Sequence, residues 1–156
     1  MKRQPIRIAK HHRARRGAAT VELAICLPVL CGLIFGAIEA CGMIYTTQSL
    51  EIAAYESCRM AIRETAYQRQ PGQPNVMTNA QVIAHAEDVL EERGIVGATV
   101  EISSDDLTSV AGGAVVTVRI TAPALANSLM PGWFWDDVQI TAQAAMVKER
   151  TTSSGT

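Results

Sequence analysis

The sequence predicts an α+β fold: one long N-terminal helix, its first half spanning a membrane and its second half a stalk, packed on a small antiparallel β-sheet with one additional helix. Three observations predict it. A basic leader runs into an apolar segment; a helical pattern without proline or glycine continues beyond that segment; and three period-two segments crowd the last third of the chain.

The 156 residues suffice for one modest domain beside a membrane segment. The net charge of −1 conceals a division: seven Lys/Arg and no acid precede Gly17, whereas seven Lys/Arg and all fifteen Asp/Glu follow it. An acidic body behind a basic leader is repelled by phosphate, so no nucleic-acid partner is expected. The leader reads instead as a cytoplasmic anchor for the apolar run.

That run, Leu23 to Ile38, is sixteen residues without a charge, about 24 Å of helix at ~1.5 Å per residue. Counted from Ala18 and on through Ile44 it spans a bilayer if Glu22 and Glu39 sit near the two interfaces. The arginines then place the N-terminus in the cytoplasm and everything after Tyr45 outside. A cleaved secretory signal is the rival, but Glu39 falls inside the only small-residue stretch that could be cut after the run. Neither that nor lipoprotein-type cleavage before Cys31 or Cys41 accounts for Glu22.

Cleavage before the run does. If the bond between Gly17 and Ala18 is cut, Ala18 carries a free amine and Glu22 becomes the fifth residue. A carboxylate four residues along shares that helix face and complements the positive end of the helix dipole. An unpaired charge in a membrane costs at least ~2.5–3.5 kcal/mol on insertion scales. Pairing with an amine, its own or a neighbouring subunit's, relieves that cost and favours association.

"RRGAATVELA", Pro28, "FGAIE" at Phe35–Glu39 and "AAYESCRMA" at Ala53–Ala61 resemble a family. The opening is similar to the processing motif of type IV prepilins, and the detailed pattern resembles the TadE-like pseudopilins of tight-adherence (Tad/Flp) pilus systems, down to a final strand ending in "AMVKER". Leu23 departs from it where an aromatic is common, as do the four cysteines. The resemblance implies a pilin-like architecture and a minor structural subunit of a Tad/Flp-type pilus or related secretion apparatus. It implies a single-pass protein of the bacterial inner membrane, with its C-terminal domain outside the cytoplasm. The implied partners are the membrane, a prepilin-type peptidase, other pilin-like subunits and the assembly platform, as a homo- or hetero-oligomer. The implied processing site is Gly17 and Ala18, and the expected subunit-assembly residues are Glu22, Pro28, Gly32, Gly36 and Glu39. The alternative is an uncleaved signal-anchored protein whose exported head binds an envelope partner.

The residues themselves fill in these roles. Pro28 removes a hydrogen bond inside the helix and bends it, which membrane helices tolerate. Gly32, Gly36 and Ala40 recur every four residues, a flat strip suited to close helix approach. Glu39, at the outer interface, is expected to reach water or headgroups.

The expected organisation is a leader at 1–17, a membrane helix at 18–45, a stalk helix at 46–69, a head at 75–150 and a disordered tail at 151–156. Leu50, Ala53, Ala54, Cys58, Ala61 and Ile62 form the apolar stripe of the stalk, and "QPGQP" at 70–74 ends a helix that starts near Ala18. Thr78 and Gln81 form a capping box for a second helix, closed by Gly94 and striped by Val82, Ile83, Ala86, Val89 and Leu90; His85 reads as a surface residue of that helix. Strands are expected at 99–103, 115–121 and 138–146. Their inward faces carry Val100 and Ile102; Val116, Val118 and Ile120; and Val138, Ile140, Ala142, Ala144 and Met146. Residues 105–113 suit a hairpin connection.

The connection at 122–137 holds Trp133, Phe134 and Trp135. It reads as a lid on a small core, as a contact patch for another subunit, or as an outer-leaflet anchor.

No catalytic residue, cofactor or metal site is expected. No nucleophile-with-base arrangement, phosphate loop or Cys-x-x-Cys is present, and Ser103–Asp106 lacks the spaced oxygens of a Ca²⁺ loop. Cys41 and Cys58 stand about 25 Å apart on a straight helix, beyond the reach of a disulfide. Any disulfide would join two chains through one of them.

Overall fold

The computed structural model describes residues 13–63, 77–129 and 135–149. The expected leader before Arg13, the end of the expected stalk helix at 64–69, the "QPGQP" breaker, Trp133, Phe134 and the expected tail lie outside those residues; within them the stalk helix ends at Ile62. The chain divides into two compact units, Met1–Ile38 and Glu39–Thr156.

Helix α1 runs Arg13–Ile62 with Pro28 inside it. It starts five residues before the expected Ala18, since no proline or other breaker separates Arg13 from Gly17 and Ala and Arg are good helix formers. In the first unit α1 is an apolar rod whose side chains stay exposed: Val21, Leu23, Ile25, Leu27, Val29, Leu33 and Phe35 are all at least half exposed. Within α1, Gly17–Ile62 is long and apolar enough to cross a membrane.

In the second unit the same helix is amphipathic. Leu50, Ala53, Ala54, Cys58 and Ala61 are fully buried, as are Ser49 and Ser57, while Glu51, Glu56 and Arg59 face solvent. Small residues dominate this face, so a sheet can pack close to the helix axis.

Helix α2 spans Asn79–Glu92 and opens with the expected capping box, Thr78 and Gln81 satisfying each other's backbone N–H groups. It ends where Gly94 takes φ +69°, the left-handed conformation that glycine adopts without strain. Val82, Ala86, Val89 and Leu90 are buried; Ile83 is half-buried.

Strands β1 (Thr99–Ile102), β2 (Val115–Pro123) and β3 (Gln139–Val147) form an antiparallel sheet in that order. The register pairs Ile102 with Val118, and Val118 with Ala144. Val116, Val118, Ile120 and Ala122 are fully buried on one face of β2, and Arg119 is exposed on the other, so the expected strand faces hold except at Val138, which is exposed and precedes β3. Alternation of this kind is what one-sided burial imposes on a period of two.

One core cluster joins Leu50, Ala54 and Cys58 of α1, Ala86 and Leu90 of α2, and Val118, Ile120 and Ala142 of the sheet. A second joins Ala61, Val82, Leu107 and Val116. Leu107 belongs to the 103–114 connection, expected to be a plain hairpin loop; it folds inward and buries that leucine. The later connection is also more ordered than expected, since β2 extends to Pro123 and a 3₁₀ turn follows at Leu125–Asn127.

Candidate functional site

The expected processing bond lies in the first turns of α1. Gly17 and Ala18 are exposed, and the Thr20 hydroxyl donates to the Gly17 carbonyl at 2.9 Å. Glu22, one turn on from Ala18, is exposed as well. Gly32 and Gly36 have open space where a side chain would stand, so the helix surface there is flat and free for a close neighbour. Pro28 is exposed between these features.

Glu39 differs from its expectation. It is only 6% exposed: Oε1 accepts the Ser128 hydroxyl at 2.5 Å and Oε2 accepts the Leu129 N–H at 3.2 Å. The carboxylate that was expected to face water or headgroups instead fastens the 128–129 segment to α1. Two protein donors replace the hydration it gives up. Nothing in the local spacing of "FGAIE" signals this, because the partners are 89 and 90 residues away.

The same end of the head carries further ties. Tyr45 donates through its hydroxyl to the Arg93 carbonyl at 3.2 Å. The Asn127 side chain accepts from Val96 N–H at 2.9 Å and donates to the carbonyls of Val96 and Pro123 at 3.0 and 2.9 Å. Of the aromatic loop, Trp135 is described and half-buried. Its indole Nε1 is buried and has no hydrogen-bond partner among the described residues.

At the other end, Lys148 is a functional-looking residue that period-two reasoning passed over. It is 4% exposed, and its ammonium donates to the carbonyls of Leu107 and Val110 at 2.7 and 2.8 Å. These bonds pin the 103–114 connection to the end of β3 and keep Leu107 inside. Asp106, in the same connection, accepts the Thr108 hydroxyl and N–H; those bonds hold its carboxyl below the usual carboxylate range, with Lys148 adding a smaller push. The Lys of "AMVKER" is thus structural, and only its position just after an alternating strand could have marked it.

The cysteines separate by environment. Cys41 is exposed, whereas Cys58 is fully buried, its thiol directed to the Val116 carbonyl at 3.4 Å. Burial pushes that thiol up from its ordinary value. Cys58 is therefore withdrawn from the inter-chain disulfide considered for it, since the sheet covers it. Glu56 and Arg59 of the "AAYESCRMA" stretch line a shallow cleft with Met60, Arg63, Met77 and a half-buried His85. Among the described residues no group of three His, Cys, Asp or Glu could hold a metal ion.

The helix that bears Glu22, the open glycines and the Glu39 clasp is also the part with known likeness. Residues 17–59 match the family model of TadE-like protein. The TadE-like segment begins at Gly17 and ends at Arg59. It contains Glu22, Pro28, Gly32, Gly36 and Glu39, along with most of the stalk stripe through Cys58. The match covers the N-terminal helix, whose Gly17–Ile62 stretch is long and apolar enough to cross a membrane. No curated protein and no solved structure matches the chain.

Proposed function

We propose that this chain is a minor pilin-like (pseudopilin) structural subunit of a Tad/Flp-type pilus or related secretion apparatus. A prepilin-type peptidase cuts between Gly17 and Ala18, and the mature N-terminal helix then assembles with other pilin-like subunits on the assembly platform. The chain sits in the bacterial inner membrane as a single-pass protein, with the leader in the cytoplasm and the head outside.

The match of residues 17–59 to the TadE-like model carries this reading, because it starts at the expected cleavage glycine and includes Glu22. The geometry supports it. In α1, Glu22 stands four residues after Ala18, one helical turn and on the same face. Its carboxylate is exposed and can meet an amine of its own or of a neighbouring chain. The unfilled surface at Gly32 and Gly36 lets two such helices approach closely.

The test is crosslinking in membranes through an engineered pair on the Gly32/Gly36 face, comparing the natural protein with Glu22→Gln. Glutamine keeps the shape and hydrogen-bonding capacity but not the charge. Insertion and orientation follow from the basic leader and apolar span, so they should persist. Crosslinking and incorporation into the assembly should be largely lost. Undiminished crosslinking with normal assembly would remove the carboxylate from the mechanism.

A further inference from the structure

We propose that the end of the head built from residues 93–97 and 123–129 rests on the outer interface of the lipid bilayer, with Leu129, Val96 and Leu125 in contact with lipid. The inference rests on the membrane-spanning reading of α1 and adds to it where the head meets the membrane.

The first observation is positional. Glu39 immediately follows the charge-free run Leu23–Ile38 in the chain, so it marks the outer edge of the apolar span. Its carboxylate holds the Ser128 hydroxyl and the Leu129 N–H. The 128–129 segment is therefore at the level of residue 39, where hydrocarbon gives way to headgroups. The Asn127 side chain ties this segment to Val96 and Pro123. Tyr45, about 9 Å further along α1 at ~1.5 Å per residue, ties down Arg93.

The second observation is compositional. This end exposes Leu129 at 77%, Val96 at 60% and Leu125 at 44%. The opposite end lies near the level of Ile62, whose carbonyl accepts the Glu149 N–H. That is about 35 Å from Glu39 along the helix. There the 103–114 turn exposes Asp105, Asp106, Thr108 and Ser109. The exposed valines toward that end, Val115 and Val147, are cross-strand partners on the outer sheet face. Glu91 and Glu92 are exposed just before this rim, so the apolar contact is confined to Leu129, Val96 and Leu125 at the depth of the bilayer edge, with the polar 103–114 tip far from it.

Asp136 and Asp137 are exposed beside Val138 in the connection to β3. Attraction to anionic headgroups is therefore not the source of the contact, which comes from burial of apolar side chains at shallow depth and does not depend on salt.

The full-length protein is reconstituted in phosphatidylcholine vesicles, and separately in phosphatidylcholine with phosphatidylglycerol. A fluorescent non-natural amino acid replaces Leu129 in one preparation and Ser109 in another. The Leu129 probe should be blue-shifted, quenched by lipids brominated near the headgroup end of the chain, and severalfold less sensitive to aqueous iodide than the Ser109 probe. Added anionic lipid and salt should change none of this. Equal iodide quenching at the two positions, in protein that still resists carbonate extraction, would overturn the proposal while leaving the membrane span intact. A Leu129 probe shielded from both quenchers would overturn it in favour of a protein neighbour. Extraction of the protein by carbonate would overturn the span, and this proposal with it.

Discussion

Glu39 and Lys148 show how single charged residues close the two ends of a small head. Each is nearly inaccessible, and each meets backbone or hydroxyl groups from a distant part of the chain. Glu39→Ala leaves the Ser128 hydroxyl and the Leu129 N–H without that acceptor. A loss of about 1–3 kcal/mol is expected for charge-assisted bonds, with faster hydrogen exchange at the Leu129 amide. Lys148→Met keeps the stem but strips the donors from the carbonyls of Leu107 and Val110. It should cost about 2–3 kcal/mol and expose the second core cluster, read as a lower urea midpoint for the full-length protein in detergent. Neither contact was legible in the sequence. Hydropathy treats Glu39 as an interfacial acid and Lys148 as a strand terminator, and only the fold brings residue 39 to 128 and residue 148 to 107. Cys58 was misread for the same reason: the stripe placed it on the packed face of the stalk, but the sheet that covers it lies almost sixty residues further on.

The elements themselves were far more legible, because each follows from a local period. The capping box at Thr78 and Gln81 and the left-handed Gly94 fix α2 at both ends by chemistry confined to a few residues. The strand faces follow from alternation alone: Val116, Val118 and Ile120 are buried and Arg119 is exposed. What alternation could not supply is the inward turn of Leu107 or the 3₁₀ turn at Leu125–Asn127, since neither has a period. The register makes a sharp prediction. Val118→Asp puts an unpaired carboxylate into a face that packs on α1, at a cost of several kcal/mol, comparable with the ~5–15 kcal/mol that holds a domain together. Arg119→Asp sets an acid opposite Glu101 on β1 and should cost under about 1 kcal/mol. Denaturant unfolding of the two variants should therefore differ severalfold in its effect; equal effects would mean that the faces are exchanged.

For the whole molecule, one helix serves two environments. Residues 17–38 keep their apolar side chains outward, while residues 46–61 turn a small-residue face to a sheet and a second helix. The change falls at Glu39, where the chain also divides into its compact units. The TadE-like match runs across that change, from Gly17 to Arg59. The match thus covers both the exposed apolar part of α1 and most of the part on which the sheet packs. In the proposed function, removal of the leader creates an amine four residues before Glu22. The most direct measurement is the mass-spectrometric N-terminus of the protein recovered from membranes of cells with an active cognate prepilin-type peptidase. The proposed processing yields a chain that begins at Ala18, with a bulky residue in place of Gly17 leaving the precursor intact. Recovery of the full-length chain alone, still carrying its basic leader, would contradict it and leave an uncleaved anchor with an exported head.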